Sequence, residues 1–221
     1  MKTTPRSIQK IIEDQFKKWR ADQPKMGRKS LKMPVLTISR EPGSGGSLVA
    51  KKVAEDLGLD LFHQEVVHEM ANSAKVSKKV FETLDEKGLN TLENWISSLV
   101  DARHLWPDKY LEHLMRVIGI IGNHGRAVIV GRGANFILPH ESCFRVRVIA
   151  SLENRVKHVS DTFSVSAAEA KRRIIRTESD RKAFVRKYFN ADISAPENYD
   201  MVVNTGTMSI EKAAKAISTA L

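Results

Sequence analysis

From residue 33 onward, short apolar runs alternate with longer stretches whose apolar residues recur at helical spacing. The short runs predict strands at residues 35–38, 59–62, 127–130, 144–150 and 201–204. The longer stretches predict helices at residues 47–57, 151–159 and 166–186, a largely helical region between the second and third strands, and a last helix capped by Ser209. Strands that alternate with helices are typical of a parallel sheet with crossover helices. The pattern therefore predicts an α/β fold.

Two of these predicted strands differ in their surroundings. Residues 127–130 are Ala-Val-Ile-Val, a continuous apolar run of the kind that is buried on both faces of a sheet. In residues 144–150, apolar side chains alternate with Arg145 and Arg147. This alternation predicts a more exposed position for the fourth strand.

Ahead of the sheet, residues 7–22 place Ile8, Ile12 and Phe16 on one face of a basic amphipathic helix, and residues 24–29 are expected to form a linker. Residues 1–32 hold ten Lys and Arg against three Asp and Glu, so this arm carries +7 of the chain's net charge of +10. Its apolar stripe is expected to pack on the domain or on a second copy, as a homodimer contact. An anchor for nucleic acid or a membrane surface is the third interpretation, although nucleic acid is not expected as a partner.

The composition favours a soluble globular protein, because 42% of the residues are hydrophobic and 28% are charged. No apolar run approaches the ~20 residues that span a bilayer, so no integral membrane contact is expected. The N-terminus leads into a charged helix rather than an apolar signal core. The single cysteine, Cys143, cannot form an internal disulfide. These features predict a cytoplasmic location.

The strongest local signal is the loop between the first strand and the first crossover helix. Residues 40–47 read Arg-Glu-Pro-Gly-Ser-Gly-Gly-Ser. Such a turn brings backbone N–H groups and a helix N-terminus to one point, where they cradle a phosphate. The P-loop pattern is G-x-x-x-x-G-K-[ST], in which the lysine reaches the phosphates and the Ser or Thr hydroxyl binds Mg²⁺.

The loop fits this pattern only in part. Gly45 and Ser47 fit, but Arg40 stands at the first glycine position and Gly46 at the lysine position. We therefore expect Ser47 to hold Mg²⁺ and Arg40 to substitute for the missing cation. The residues of this expected phosphate cradle are Gly43, Ser44, Gly45, Gly46 and Ser47.

A dinucleotide-binding loop is the alternative for the same stretch. It requires G-x-G-x-x-G, but Leu48 stands at the third glycine position. No acidic residue closes the second strand at the expected distance either. The phosphate loop is therefore the preferred interpretation.

Other polar residues follow strands at the same edge, and in open α/β sheets a ligand binds outside the carboxyl ends of the strands. After the third strand, Arg132 lies between Gly131 and Gly133, where a guanidinium can bind a phosphate bidentately. Asn135 in the same loop and His63 after the second strand are further candidates for binding a substrate. The seven histidines show no spacing typical of a metal site.

Residues 155–187 form a second basic stretch, with ten Lys and Arg against four Asp and Glu. Within it, residues 171–182 place arginines on a helix that follows the fourth strand. In a phosphoryl-transfer enzyme, such a segment can close over the nucleotide and stabilise the charge shared by donor and acceptor. A solvated basic helix is the alternative interpretation.

Five motifs in this order resemble the cytidylate kinase-like family, a branch of the P-loop nucleoside monophosphate kinases. The motifs are ISREPGSGG at 38–46, VIVGRG at 128–133, ASLENRV at 150–156, SDRK at 179–182 and PENYD at 196–200. The resemblance covers about residue 33 to the C-terminus and leaves the basic arm of residues 1–32 outside.

The resemblance implies a three-layer α/β/α P-loop kinase fold for residues 33–221, with a helical acceptor-binding insert at about 63–122 and a lid at about 160–190. It implies that Gly43 to Ser47 hold the donor phosphates and that Arg132 holds the acceptor's phosphate. It also implies that Arg176 and Arg181 are lid arginines. It also implies a nucleotide-binding phosphotransferase that uses ATP and Mg²⁺. The acceptor would be a pyrimidine nucleoside monophosphate or another small molecule.

The chain also departs from true cytidylate kinases. Gly46 replaces the P-loop lysine, Val130 and Gly133 replace the aspartates around the arginine of the G-R-D segment, and His63 stands where the family commonly has an aspartate. Losing a contact such as that of the lysine costs about 10²–10³-fold in rate unless another group replaces it. A non-catalytic nucleotide-binding sensor or regulator is therefore the alternative hypothesis.

Overall fold

The computed structural model describes residues 5–22, 35–105 and 107–221, and the predicted linker at residues 24–29 lies outside them. The strands in the described part are β1 (Val35–Arg40), β2 (Asp60–Phe62), β3 (Ala127–Val130), β4 (Cys143–Ile149) and β5 (Met201–Asn204). The helices there are α1 (Pro5–Asp22), α2 (Gly46–Leu57), α3 (Gln64–Asn72), α4 (Ala74–Phe81), α5 (Glu86–Ala102), α6 (Lys109–His124), α7 (Ala134–Ile137), α8 (Leu152–Phe163), α9 (Ala167–Phe189) and α10 (Ile210–Ala220). None of the described helices is long and apolar enough to cross a bilayer.

The strands form one parallel sheet in the order β2-β3-β1-β4-β5. In this register, Ile38 of β1 lies opposite Val130 of β3 on one side and Val146 of β4 on the other. Because the strands are parallel, the loops that follow β1, β3, β4 and β5 all leave the sheet at the same edge. The glycine-rich loop therefore has the Arg132 loop on one side and the start of α8 on the other.

Alternate residues of the central strands face two different helical layers. Leu36 and Ile38 pack against α2 and α10, whereas Val35 packs on the opposite face, against the layer that contains α1, α3, α5 and α6. The same alternation separates Val128 from Ile129. This arrangement confirms the predicted three-layer α/β/α fold with a parallel sheet.

The expectation that β4 is more exposed was wrong. The strand lies between β1 and β5, and Arg145 and Arg147 are only 6% and 5% exposed. The arginines can be buried because each has a polar partner. Nη2 of Arg145 lies 2.5 Å from Oδ1 of Asp200, and Nη1 of Arg147 donates to Oγ of Ser39 at 3.0 Å. The alternation thus reflects arginines paired with polar groups inside the fold rather than contact with solvent.

Helix α1 packs on the chain's own domain. Its Ile12, Phe16 and Trp19 are buried in the same core as α3 and α6. The indole of Trp19 stacks on the imidazole of His124 with ring centroids 4.4 Å apart. The apolar stripe of α1 therefore packs within the chain's own core. A homodimer through this helix stays a prediction, and the buried stripe does not support it.

Candidate functional site

The glycine-rich loop joins the end of β1 to the first turn of α2 through two left-handed residues. Gly43 and Gly45 have φ angles of 83° and 74°, which glycine adopts without strain. A Cβ on Gly45 would lie 2.8 Å from Cδ1 of Ile210, and one on Gly43 would lie 2.9 Å from the carbonyl oxygen of Arg155. Gly45 is the N-cap of α2 and provides no side chain for its N–H groups. The loop thus presents backbone donors at a helix N-terminus, the arrangement that binds phosphate groups.

Neighbouring elements hold this loop in place. The carboxylate of Glu41 accepts a hydrogen bond from the backbone N–H of Ala150 at 3.0 Å and lies 3.5 Å from Nε of Arg155. The hydroxyl of Thr205 donates to the carbonyl oxygen of Ser44 at 2.5 Å. The loop is therefore fastened to the segments that follow β4 and β5, so its donors are fixed before a ligand binds.

On the β4 and β5 side, the loop forms one wall of a cleft of about 340 Å³, here called the loop cleft. The other walls come from α8 and from the segment between β5 and α10. Residues of the loop cleft include Gly43, Ser44, Gly45, Asn154, His158, Thr205 and Met208. No Lys or Arg side chain is among the described residues that line it.

On the β3 side of β1 lies a second cleft of about 320 Å³, here called the arginine cleft. Three arginines from three separate elements line it, namely Arg40 at the end of β1, Arg132 after β3 and Arg181 on α9. The other polar residues that line it are Ser39, Gln64, Asn135, Thr177 and Asp180. The ring of Phe184 forms an apolar wall, with the guanidinium carbon of Arg132 at 5.8 Å from its centroid.

Arg132 lies in a strained part of the backbone. Its φ is 54°, and the flanking Gly131 and Gly133 have φ angles of 78° and 69°. A non-glycine residue in the left-handed region costs roughly 1–2 kcal/mol. Such strain is concentrated at functional sites, and here it positions a guanidinium in a cleft.

Several donors in the arginine cleft have no partner. Among the described residues, the buried atoms Nε of Arg40, Nε of Arg132 and Nδ2 of Asn135 form no hydrogen bond. None of the three cleft arginines forms an ion pair with a carboxylate in the described part of the chain. Buried unpaired donors are costly, and an anion with several oxygens would satisfy them.

The guanidinium groups also repel one another. Burial and the charge of Arg181, followed by that of Arg132, lower the pKa of Arg40 to about 9, against an opposing effect of Glu65. Burial is likewise the main cause that lowers the pKa of Arg181. A bound anion would relieve this repulsion, so the electrostatics of the cleft favour an anionic ligand.

The residues predicted for the donor phosphates lie together at the loop. Gly43, Ser44 and Gly45 line the loop cleft, and Gly46 is buried at the start of α2. Ser47 is exposed on the first turn of α2, and its hydroxyl forms no hydrogen bond with another described residue.

The remaining candidates divide between the arginine cleft and the surface. Asn135 lines the arginine cleft together with the three arginines. His63 is the N-cap of α3 and does not line the arginine cleft, whereas its neighbour Gln64 does. Burial is the main cause that lowers the pKa of His63, which favours a neutral imidazole. Arg176 is exposed on α9 and lines neither cleft.

Sequence reasoning missed Gln64, Thr177, Asp180 and Phe184. The helical repeat contained a signal for three of them, because positions 177, 180 and 184 share one face of α9 with Arg181. Once Arg181 was expected in the site, its neighbours on that face should have been expected as well. Gln64 lacked such a signal, because it begins a helix directly after a strand and the repeat changes there.

The residues present fit Mg²⁺ held chiefly by phosphate oxygens and water. The described residues contain no group of three or more His, Cys, Asp or Glu side chains that could hold a metal. Kinase sites often bind Mg²⁺ through one or two protein oxygens together with substrate phosphates. The hydroxyl of Ser47 beside the loop, which has no hydrogen-bond partner among the described residues, suits such a role.

Comparison with known proteins identifies the family to which the chain belongs. Residues 35–207 match the model of the cytidylate kinase-like family. Proteins named cytidylate kinase from Ignicoccus hospitalis and Staphylothermus marinus are 30% and 26% identical to this chain, over 84% and 81% of it and over 97% and 92% of their own lengths. A solved structure of an uncharacterized protein from Eubacterium ventriosum shares the fold, with a TM-score of 0.67 at 24% identity over 86% of this chain and 98% of that one. The chain belongs to the cytidylate kinase-like family.

Proposed function

We propose that the protein transfers the γ-phosphoryl group of ATP to a nucleoside monophosphate. The observation that carries the proposal is the convergence of Arg40, Arg132 and Arg181, none with a carboxylate partner among the described residues, beside a loop that presents backbone N–H groups. Phosphoryl transfer requires positive charge where the donor and acceptor phosphates meet. Membership of the cytidylate kinase-like family supports a nucleotide kinase.

The donor nucleotide would occupy the loop cleft. Its phosphates would accept hydrogen bonds from the backbone N–H groups of the glycine-rich loop and of the first turn of α2. Its nucleoside would lie between α8 and the segment after β5, against Asn154 and His158. When bound by Ser47 and the phosphates, Mg²⁺ would neutralise part of the phosphate charge.

The acceptor would occupy the arginine cleft, with its phosphate on the three guanidinium groups. Asp180 and Thr177 lie on the same wall and offer polar atoms to sugar hydroxyls, and Asn135 offers an unpaired amide donor. The relatives are named cytidylate kinase, so CMP is the first acceptor to test.

In the transfer step, an oxygen of the acceptor's phosphate attacks the γ-phosphorus of ATP. The bond from that phosphorus to the oxygen it shares with the β-phosphate breaks, which leaves two nucleoside diphosphates. The acceptor's phosphate is largely dianionic at neutral pH because its second pKa is about 6, so no general base is required. Catalysis consists of positioning and charge stabilisation by the cleft arginines.

The hairpin of α8 and α9 would act as the lid. Arg181 already lies in the arginine cleft, and it fixes α9 to the loop through a hydrogen bond of 2.8 Å to the carbonyl oxygen of Arg40. Arg176 lies outside both clefts, so it would take part only if the hairpin closes over the nucleotides.

The test is an assay with ATP, Mg²⁺ and each nucleoside monophosphate in turn, with products separated by chromatography. We expect CDP from CMP, and we expect the rate to fall in Arg132→Ala. No product from any monophosphate would contradict the proposal.

A nucleotide sensor without turnover is the second candidate. It is favoured by Gly46 at the lysine position and by the lack, in the residues described, of a carboxylate cluster for a metal. Calorimetric binding of ATP, together with no product in the assay above, would select it.

A further inference from the structure

The loop differs from the P-loop pattern at two positions, Arg40 and Gly46, and the structure brings these two positions into contact. A Cβ on Gly46 would lie 2.5 Å from Cβ and 3.1 Å from Cγ of Arg40. It would also lie 3.2 Å from Cβ of Val148 in β4. The first distance is too short for atoms that are not bonded, and the near end of a side chain on a buried strand cannot move aside. A side chain at position 40 and a side chain at position 46 therefore exclude each other.

The side chain of Arg40 runs away from the start of α2 and towards β3. Its Nη1 occupies space beside Gly131, where a Cβ would lie 2.3 Å away, and its Nη2 donates to Oε1 of Gln64 at 2.7 Å. The absence of a side chain at Gly46 thus leaves room for Cβ and Cγ of Arg40, and its absence at Gly131 leaves room for the guanidinium. The guanidinium lines the arginine cleft and is absent from the lining of the loop cleft.

We infer that Arg40 and Gly46 are two coupled substitutions relative to the standard P-loop pattern. Together they move the cation of the phosphate loop from the donor side to the acceptor side. The lysine of the standard pattern follows the loop and reaches the donor's β- and γ-phosphates. Here the cation precedes the loop and binds the acceptor's phosphate, while the donor side has backbone N–H groups and no lysine or arginine among the described residues that line it. The assignment of ligands to the two sides rests on the proposed function. The contact between positions 40 and 46 does not.

The coupling can be tested without any ligand, through the melting temperatures of four variants. Gly46→Lys should lower Tm by about 5 °C or more beyond the control, because it overpacks a buried contact. Arg40→Gly removes the clashing Cβ, so the double variant R40G/G46K should recover a large part of that loss. Leu48→Lys is the matched control, since it adds a lysine to the same turn of α2 at a side chain that is 48% exposed.

The side of the site that Arg40 serves can be tested by calorimetry on Arg40→Gln, which keeps most of the side-chain stem. The ATP analogue AMP-PNP probes the loop cleft, and inorganic phosphate added to protein saturated with AMP-PNP probes the arginine cleft. Arg40→Gln should weaken phosphate binding by roughly 10- to 100-fold, the value of hydrogen bonds to a charged group, and should leave the affinity for AMP-PNP close to wild type.

Two results would overturn the inference. One is that Gly46→Lys is tolerated as well as Leu48→Lys, or that the two exchanges are additive in Tm. The other is that Arg40→Gln weakens AMP-PNP as much as phosphate. If the wild-type protein binds neither probe, the proposed function fails, and additivity or coupling in Tm still decides whether the exchange is real.

Discussion

Two groups of arginines, each buried or half-buried, lie in and around the parallel sheet, and they differ in their partners. Arg145, Arg147 and Arg155, here called the paired arginines, lie within 4 Å of the carboxylates of Asp200, Glu41 and Glu178. Arg40, Arg132 and Arg181, the cleft arginines, have no carboxylate partner among the described residues, and two of them leave a buried Nε without a hydrogen bond.

This difference in partners distinguishes arginines that stabilise the fold from arginines that are available to bind a ligand. A paired arginine is satisfied by the fold, so its loss should reduce stability. A cleft arginine is held at a cost in repulsion and unmade hydrogen bonds, so its loss should affect ligand binding and leave the fold intact. The four predictions below test this division.

Arg132→Ala is expected to have the largest effect. It removes one of three groups that stabilise charge in the transfer step, so kcat/KM should fall by about 10²–10³-fold. Tm should change little, because no carboxylate loses its partner. Steady-state kinetics and thermal unfolding measure the two quantities. The control Arg173→Ala removes an exposed arginine that pairs with Glu169, and a loss of Tm in Arg132→Ala but not in this control would contradict the division.

Asp200→Ala should do the opposite. It leaves Arg145 buried without its carboxylate, at a cost of about 2–3 kcal/mol, less than for a fully buried pair because Asp200 is partly exposed. We expect Tm to fall by about 5–10 °C, with kcat/KM of the remaining folded protein unchanged. Glu197→Ala removes an exposed acid from the turn before β5 and serves as control. A variant as stable as this control would show that the paired arginine needs no partner.

Inorganic phosphate should stabilise the protein through the cleft arginines. A ligand at 100 times its Kd adds about 2.7 kcal/mol to the free energy of unfolding, so Tm should rise with phosphate concentration. The shift should be largely lost in Arg132→Ala and retained in Asp200→Ala. Differential scanning fluorimetry at constant ionic strength, with chloride as the comparison anion, measures it. Equal shifts in the two variants would place the bound anion elsewhere.

Lowering the pH should weaken the paired arginines first, through the ion pair between Arg145 and Asp200. The hydrogen bond from Arg145 holds the pKa of Asp200 below its ordinary value. A lowered carboxyl pKa contributes stability that is present above the unfolded value of about 3.9 and is lost as the pH falls through the folded value. The stability difference between wild type and Asp200→Ala should therefore narrow as the pH falls below about 4. Urea unfolding between pH 7 and pH 3 measures it, and a constant difference would contradict this assignment.

The sequence was sufficient for the fold because its local signals agree. The apolar run at 127–130 and the serine cap at Ser209 each predicted the element that the structure contains. The burial of β4 was missed because it depends on Asp200, which lies far along the chain and neutralises Arg145 only after folding. A pattern read along one segment cannot contain that information.

The parts of the site that the backbone conformation determines could be predicted from the sequence. The parts that depend on the direction of a long side chain could not. The place of Arg132 in a cleft could be predicted because two glycines flank it after a buried strand, whereas its role stays a prediction. The direction of Arg40 was not, because it depends on the space beside Gly131 in another loop. His63 was chosen over Gln64 because the end of a strand gives no indication of which of two neighbouring side chains enters the cleft.

Helix α1 shows that the unit that folds is longer than the unit that the family comparison recognises. The matched segment, residues 35–207, excludes both α1 and α10. Yet Phe16 and Trp19 fill part of one core layer, and Ala213 and Ile217 fill part of the other. A fragment trimmed to the matched boundaries would expose apolar surface on both faces of the sheet, and we expect it to aggregate. Fragments of this chain should therefore be cut where its packing ends rather than where the matched segment ends.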